Sequence, residues 1–346
     1  MKVLITGGTG YIGSHTTAAV LRREHEVRLM VRDPSRVSAA LEPLGVDPSK
    51  LEILTGDVTD ARSVAAAVDG VDAVMHLAQI FSMDSRDFRK IRRINIPGTQ
   101  NMLDAALRSG ADPIIYGSST AALLPSKVPL STDLPLHKAN WTTPPYFAAQ
   151  AAAERIARRH QDEGAPLTIV NLVGVLGPHD PHMGDQLTRL RNAVLGRLRF
   201  PPQGGFTISD VRDTAAMLAE TLTPGLGPRR YIPAGHYLPT HVYIRAIEDA
   251  IGRRLGVVHP PARAAMVLCK AVDVVQHVVP WHIPAEYTAA FMCYCDARLS
   301  DTMPTAPLGV EARPLAETIE DSIRWLYEQG LLTASQAGIR EPALLA

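Results

Sequence analysis

The chain has 346 residues, with Lys plus Arg and Asp plus Glu at 35 each, so its formal net charge is zero. That balance leaves no surplus positive field to neutralise phosphates and argues against nucleic acid as a general partner. With 46% hydrophobic and 20% charged residues, the composition is globular rather than disordered, and the length fits two domains, or one large domain with an appended lobe.

In chain order, a short apolar run at 3–6 meets glycines and passes into a helical pattern at 12–23, with Ala18, Ala19 and Leu21 on the inner side. Strand patterns follow at 26–31, 51–54, 73–77 and 113–116, and helical ones at 61–68, 94–109 and 145–163. Residues 167–173 are almost continuously apolar, as in a central strand covered on both faces. This alternation predicts an α/β fold, a Rossmann-type doubly wound parallel sheet with right-handed connections. After residue 176 the texture changes, with His, Pro and Gly frequent over 177–182. Helices are expected at 188–198, 210–221 (capped by Ser209 or Asp210), 241–255, 262–279 and 316–329, with a strand at 230–232 returning to the sheet. The organisation read from this is a first domain over 1–176 with returning elements around 205–235. A smaller, mainly helical lobe at 177–330 carries the substrate contacts, and 331–346 is a loose tail.

No uncharged run reaches the roughly 18–20 apolar residues that span a bilayer, and no signal segment precedes the first strand. The stretch 264–279 reads as an amphipathic helix of the second lobe or as a lid; membrane-surface contact stays open to it, but it lacks the clustered basic face that would argue for such contact. Cys269, Cys293 and Cys295 form no disulfide framework, and no residue set has metal-ligand spacing, so no metal is expected. His179 and His182 read as loop residues. A cytoplasmic location follows as the expectation.

The strongest local signal is Thr6-Gly7-Gly8-Thr9-Gly10-Tyr11-Ile12-Gly13, placed between the first strand and the first helix. Glycines three apart allow a tight turn, close approach of a pyrophosphate and close packing of helix on strand, and the helix N-terminus offers free N–H groups to the phosphates. The first domain is therefore expected to bind a dinucleotide. At the end of the second strand, Val31 is followed by Arg32-Asp33-Pro34-Ser35-Arg36. Arg32 and Arg36 suit a 2′-phosphate, favouring NADP(H); Asp33 turned toward the ribose would favour NAD(H) instead.

These residues resemble the extended short-chain dehydrogenase/reductase family, part of the NAD-dependent epimerase/dehydratase superfamily, over roughly 1–240. Besides the glycine loop, the similar segments are Gly56-Asp57-Val58-Thr59-Asp60, His76-Leu77-Ala78, Asn95-Ile96-Pro97-Gly98-Thr99, Ser118-Ser119-Thr120, Val175-Leu176-Gly177-Pro178 and Asp210-Val211-Arg212-Asp213. The run Val31–Pro34 and the last segment resemble the dihydroflavonol reductase and 3β-hydroxysteroid dehydrogenase branch. The resemblance implies cofactor contacts from Gly7, Thr9, Gly10, Tyr11, Ile12, Gly13, Arg32, Arg36, Asp57, Val58, Leu77, Ala78, Gln79, Asn95, Gln150, Leu172 and Val175. It implies a catalytic Ser119 and Tyr146, and a homodimer through the helices at 94–109 and 146–163.

One position departs from the family pattern. Where the family has Tyr-x-x-x-Lys, this chain has Tyr146 and Gln150. The spacing puts both side chains on one helix face. The family lysine lowers the phenol pKa and holds the nicotinamide ribose; a unit charge about 4 Å away contributes at most about 4 kcal/mol at an effective dielectric near 20. Gln150 keeps the hydrogen bond and supplies no charge. The expected activity is an NADP-dependent oxidoreductase biased to reduction, because protonating a substrate oxygen needs only the neutral phenol. A non-redox isomerase, dehydratase or cyclase, or a cofactor sensor, is the alternative. Ile80, Phe81, Met83, Ser119, Thr120, Trp141, Tyr146, Leu176, Met183 and Phe206 are expected around the catalytic mouth. That mainly apolar set suits a small apolar substrate. Arg189, Arg191, Arg197 and Arg199 read as a solvated face.

Overall fold

The computed structural model describes residues 1–276, 279 and 286–339. The first half alternates as expected: β1 (Lys2–Thr6), α1 (Tyr11–Leu21), β2 (Glu26–Val31), α2 (Arg36–Leu41), β3 (Glu52–Thr55), α3 (Ala61–Val68), β4 (Ala73–His76), α4 (Phe88–Ser109), β5 (Ile114–Ser119), α5 (Pro145–Asp162) and β6 (Leu167–Leu172). Then come β7 (Gly174–Leu176), α6 (Asp185–Val194), β8 (Gly205–Asp210), α7 (Val211–Glu220), β9 (Arg229–Tyr231), β10 (His236–Pro239), α8 (Thr240–Ile251), α9 (Ala262–Gln276), α10 (Tyr287–Cys295) and α11 (Leu315–Glu328).

The main sheet has seven parallel strands in the order β3-β2-β1-β4-β5-β6-β9. The order reverses next to β1, which makes a crevice at the carboxyl ends of β1 and β4. Apolar clusters cover both faces: Val3, Ile5, Leu29 and Ile115 pack toward α1 and α7, and Leu4, Val74, Ile114 and Tyr116 toward α3, α4 and α5. Full burial on two sides explains why β1 and β6 read as unbroken apolar runs rather than alternating ones. A smaller sheet, β10-β8-β7, starts the lobe. The lobe core joins Leu187, Leu190, Ile244, Ile247, Ile323 and Leu326 from α6, α8 and α11.

The structure adds α2, β7, β8, β10 and α10 to the expected elements, and the other differences lie at ends and in tertiary packing. Helix α4 begins six residues earlier than its apolar pattern, because Asp84 accepts from the Arg86 N–H and starts a 3-10 turn that runs into it. The expected strand at 167–173 is β6, ending at Leu172, and a further short strand, β7, follows it from Gly174. This second strand leaves the main sheet to pair with β8. Residues 331–339, read as a loose tail, fold back with Leu332 and Ala337 buried against the lobe core. Residues 277 and 278 of the expected helix and 340–346 of the tail lie outside the described residues. Among the described residues no helix is long and apolar enough to cross a membrane.

Candidate active site

The glycine loop closes by backbone contact. Gly7 has φ +79°, and its carbonyl accepts from the Gly10 N–H at 2.8 Å. A Cβ on Gly7 would lie 2.8 Å from the backbone of Leu77 and Ala78, and one on Gly13 would lie 2.0 Å from the Gly7 carbonyl oxygen. Thr6 locks the neighbouring strand ends. Its hydroxyl lies 2.8 Å from His76 Nδ1 and accepts from the Ala78 N–H. Burial lowers the pKa of His76 to about 4, so its ring is neutral there. Tyr11 anchors the start of α1 by donating to the Gly177 carbonyl at 2.6 Å. Thr9, Gly10 and Ile12 stay partly accessible around the same N-terminus, the place where phosphate oxygens are bound by free N–H groups.

The adenine end is set by Asp57, Val58 and the end of β2. Asp57 Oδ1 accepts from the Thr59 N–H and hydroxyl, both at 2.8 Å. The Thr59 N–H, with help from the Arg32 and Arg93 guanidiniums, holds the carboxyl below its ordinary range. Val58 packs against Gly98, and its carbonyl accepts from Asn101. The two arginines expected to act together are not equivalent. Arg36 pairs with Asp33 at 3.3 Å, and Asp33 also accepts from the Ser35 N–H and hydroxyl. Arg32 is exposed, makes no ion pair or hydrogen bond among the described residues, and acts only through its charge on Asp57. Asp33 thus closes its own turn.

At the nicotinamide end, Asn95 accepts from the Ile80 N–H and donates to its carbonyl, fixing the chain after β4. Gln79 donates to the Gly117 carbonyl at 2.8 Å. Leu77 packs on Gly117 opposite Leu172, and Val175 is buried on β7. Thr120 donates to the Leu172 carbonyl.

Tyr146 and Gln150 stand one turn apart on α5, 7% and 2% exposed. Gln150 Nε2 donates to the Tyr146 Oη at 2.9 Å. Burial raises the Tyr146 pKa above the ordinary phenol value, against the opposing hydrogen bonds from Ser119 and Gln150. No cation contributes to that balance. Gln150 Oε1 is buried with no hydrogen-bond partner, as is Gln79 Oε1. Two orphaned acceptors beside a glycine-loop cradle fit a dinucleotide carrying ribose hydroxyls and a carboxamide, since unmet buried acceptors are costly. One turn further, Glu154 is fully buried and accepts from Ser118, Asn171 and Arg158. Asn171 also approaches the Ser119 carbonyl at 3.4 Å. This network holds the strand ends that present Ser119.

Phe81 meets the Tyr146 ring edge-on at 5.0 Å. Met83 is buried, and its sulfur accepts from Arg189 at 3.0 Å. Ile80 packs in the same cluster as Tyr146, while Trp141, Leu176, Met183 and Phe206 separate from it. Trp141 is 84% exposed, in the loop before α5. Phe206 stacks edge-on with Tyr243, and Met183 and Leu176 belong with it to the lobe core. The ends of β7 and β8 and the turn at 177–184 place these three, and none of that is visible in residue type. Arg189 is no solvated charge, since it also pairs with Glu286 at 3.0 Å, and Arg191 donates to the Leu331 carbonyl. Arg197 and Arg199 are exposed as expected. Reasoning from sequence missed Asp185, which accepts from the Met83 N–H and whose pKa burial raises. It also missed the wall formed by Phe147, Tyr287 and Phe291. Only the helix-start position of Asp185 offered a signal.

The model of the NAD dependent epimerase/dehydratase family matches residues 3–213. The chain belongs to that family, on the extended short-chain dehydrogenase/reductase scaffold. It is 25% identical over 342 residues to sterol demethylase protein B of Methylococcus capsulatus, covering 96% of this chain and all of that protein. It is 31% identical over 196 residues to 3 beta-hydroxysteroid dehydrogenase type 7 of Mus musculus, covering 53% of this chain and about half (52%) of that enzyme. Among solved structures, gox2253 superposes with a TM-score of 0.78 at 24% identity over 96% of this chain and 99% of that one. The UDP-glucose 4-epimerase of Bifidobacterium longum, solved with NAD+ and UDP, gives 0.71 at 19% identity over 95% and 99%.

Proposed function

We propose that this protein is an NADP-dependent oxidoreductase that acts on the carbonyl or alcohol of a mainly apolar small molecule and favours reduction. One observation carries the reading: the Gln150 amide donates to Tyr146 Oη inside a buried, uncharged surround. With Oη already accepting, the phenol proton is left to be donated, and burial keeps it on the oxygen. The bound nicotinamide supplies or takes up the hydride. Ser119 orients the substrate oxygen, Tyr146 gives it a proton, and Gln150 Oε1 accepts from a ribose hydroxyl. The unpaired Arg32 takes a 2′-phosphate. Phe81 beside Tyr146, and relatives named for sterols and hydroxysteroids, support an apolar substrate.

The same uncharged phenol supports a second reading, a non-redox enzyme that keeps the cofactor. One experiment separates them. Purified protein is titrated with NADPH and then with a panel of lipophilic ketones while nicotinamide absorbance is followed. Cofactor consumption that stays level through neutral pH, with oxidation rising continuously toward pH values near and above about 10, supports the reductase. Tight NADPH binding with no turnover moves the assignment to the non-redox enzyme.

A further inference from the structure

Helix α9 turns an apolar side to solvent. Ala264 and Ala271 are exposed, and Val267, Leu268, Val274 and Val275 are 62%, 65%, 63% and 48% exposed. Their spacing makes one stripe along three turns. The other side of the helix is occupied: Ala265 and Gln276 are buried, and Lys270 Nζ lies 4.4 Å over the Tyr287 ring of α10. Contiguous apolar surface of this kind marks a contact face.

The surround of the stripe names the contact. Tyr287 donates to the Thr142 carbonyl at 2.5 Å, which puts the exposed Trp141 beside α10. Arg189 joins Glu286, just before α10, to Met83, and α4 begins five residues after Met83. The first turns of α4 carry an exposed Phe88 and three exposed cations, Arg89, Lys90 and Arg92, with no ion-pair partner among the described residues. The basic cluster that α9 lacks in sequence is supplied by another element, linked to it through Met83, Arg189, Glu286 and α10. A symmetric dimer through this rim would set like charges against each other. An anionic lipid surface meets the apolar stripe, the amphipathic tryptophan and the cations together.

We propose that this rim docks on an anionic lipid surface, with α9 lying in the interface, the α4 cations over the headgroups and the mouth beside Phe81 facing the lipid. The docking stands on the exposed stripe and the cations; only its purpose, taking an apolar substrate from the lipid phase, rests on the function proposed above.

The test is flotation of the full chain with vesicles of equimolar phosphatidylcholine and phosphatidylglycerol, and with phosphatidylcholine alone. The protein should float with the anionic vesicles and more weakly with the neutral ones. V267E/L268E/V274E should abolish flotation with both. R89E/R92E, on a different element, should weaken binding to anionic vesicles by at least about tenfold and leave the weak neutral binding unchanged. Far-ultraviolet circular dichroism establishes that both variants are folded. The proposal is overturned if the unsubstituted chain floats with neither vesicle, or if both variants float as well as it does. A dimer in sedimentation velocity that the α9 variant splits, with flotation unaltered, also overturns it and assigns the face to a second copy. Flotation without turnover of any apolar ketone leaves the docking intact and removes the substrate reading alone.

Discussion

Between β1 and α1 the cofactor cradle is made of backbone pressed against backbone. A single added Cβ at Gly13 would sit 2.0 Å from a carbonyl oxygen, and the Thr6 hydroxyl ties His76 Nδ1 and the Ala78 N–H together beside it. Along α5 the arrangement is the reverse. Tyr146, Gln150, Glu154 and Arg158 run at four-residue intervals; the lower pair is closed by hydrogen bonds, while the upper pair keeps one buried acceptor unmet. The first region tolerates no change of shape, and the second is defined by a missing charge in an unchanged shape. The fold can therefore lose the family lysine without disturbing the cradle, and the chemistry at each end can be altered separately.

Tyr146→Phe should give the largest effect: turnover falls about 100- to 10,000-fold, as expected for loss of a general acid, while NADPH affinity measured by calorimetry stays unchanged. A parallel loss of affinity would mean that the two regions are not separable. Gly13→Ala should do the opposite. Crowding of the loop costs up to about 3 kcal/mol, so NADPH affinity should drop up to about a hundredfold, and the Tyr146 pH dependence should survive at saturating cofactor. Gln150→Lys sharpens the contrast. Burial raises the Tyr146 pKa; a neighbouring ammonium favours the phenolate and lowers it. Oxidation at neutral pH should rise by about tenfold or more, with its pH profile displaced to lower pH, while reduction changes little. An unmoved oxidation profile would deny that the missing charge controls Tyr146. The smallest effects lie at the adenine end: Arg32→Ala should weaken NADPH about tenfold and NADH hardly at all, whereas Arg36→Ala, losing an exposed pair with Asp33, should change NADPH binding less than about twofold.

Much of the site was legible because its chemistry is local in the chain. Gly7, Gly10 and Gly13, the strand before them and the helix after them fall within one short segment, and the Tyr146–Gln150 pairing follows from one helical turn. Trp141, Met183 and Phe206 were not legible, because an apolar residue in a loop or short strand carries no record of which core it joins. Arg189 misled for a related reason: a guanidinium reads the same whether it meets solvent or a carboxylate from far along the chain.

Taken by itself, the sequence determined the α/β alternation, the cradle and the absence of a cation at position 150, since periodicity, glycine spacing and residue identity act over a few residues. Only the tertiary structure decided that Arg32 makes no ion pair among the described residues, that Glu154 braces Ser118 and Asn171, and that α9 keeps an exposed apolar side. Those outcomes depend on contacts that range from 17 positions apart for Asn171 and Glu154 to 145 for Tyr287 and Thr142, and the zero net charge of the whole chain says nothing of where such contacts leave charge unbalanced.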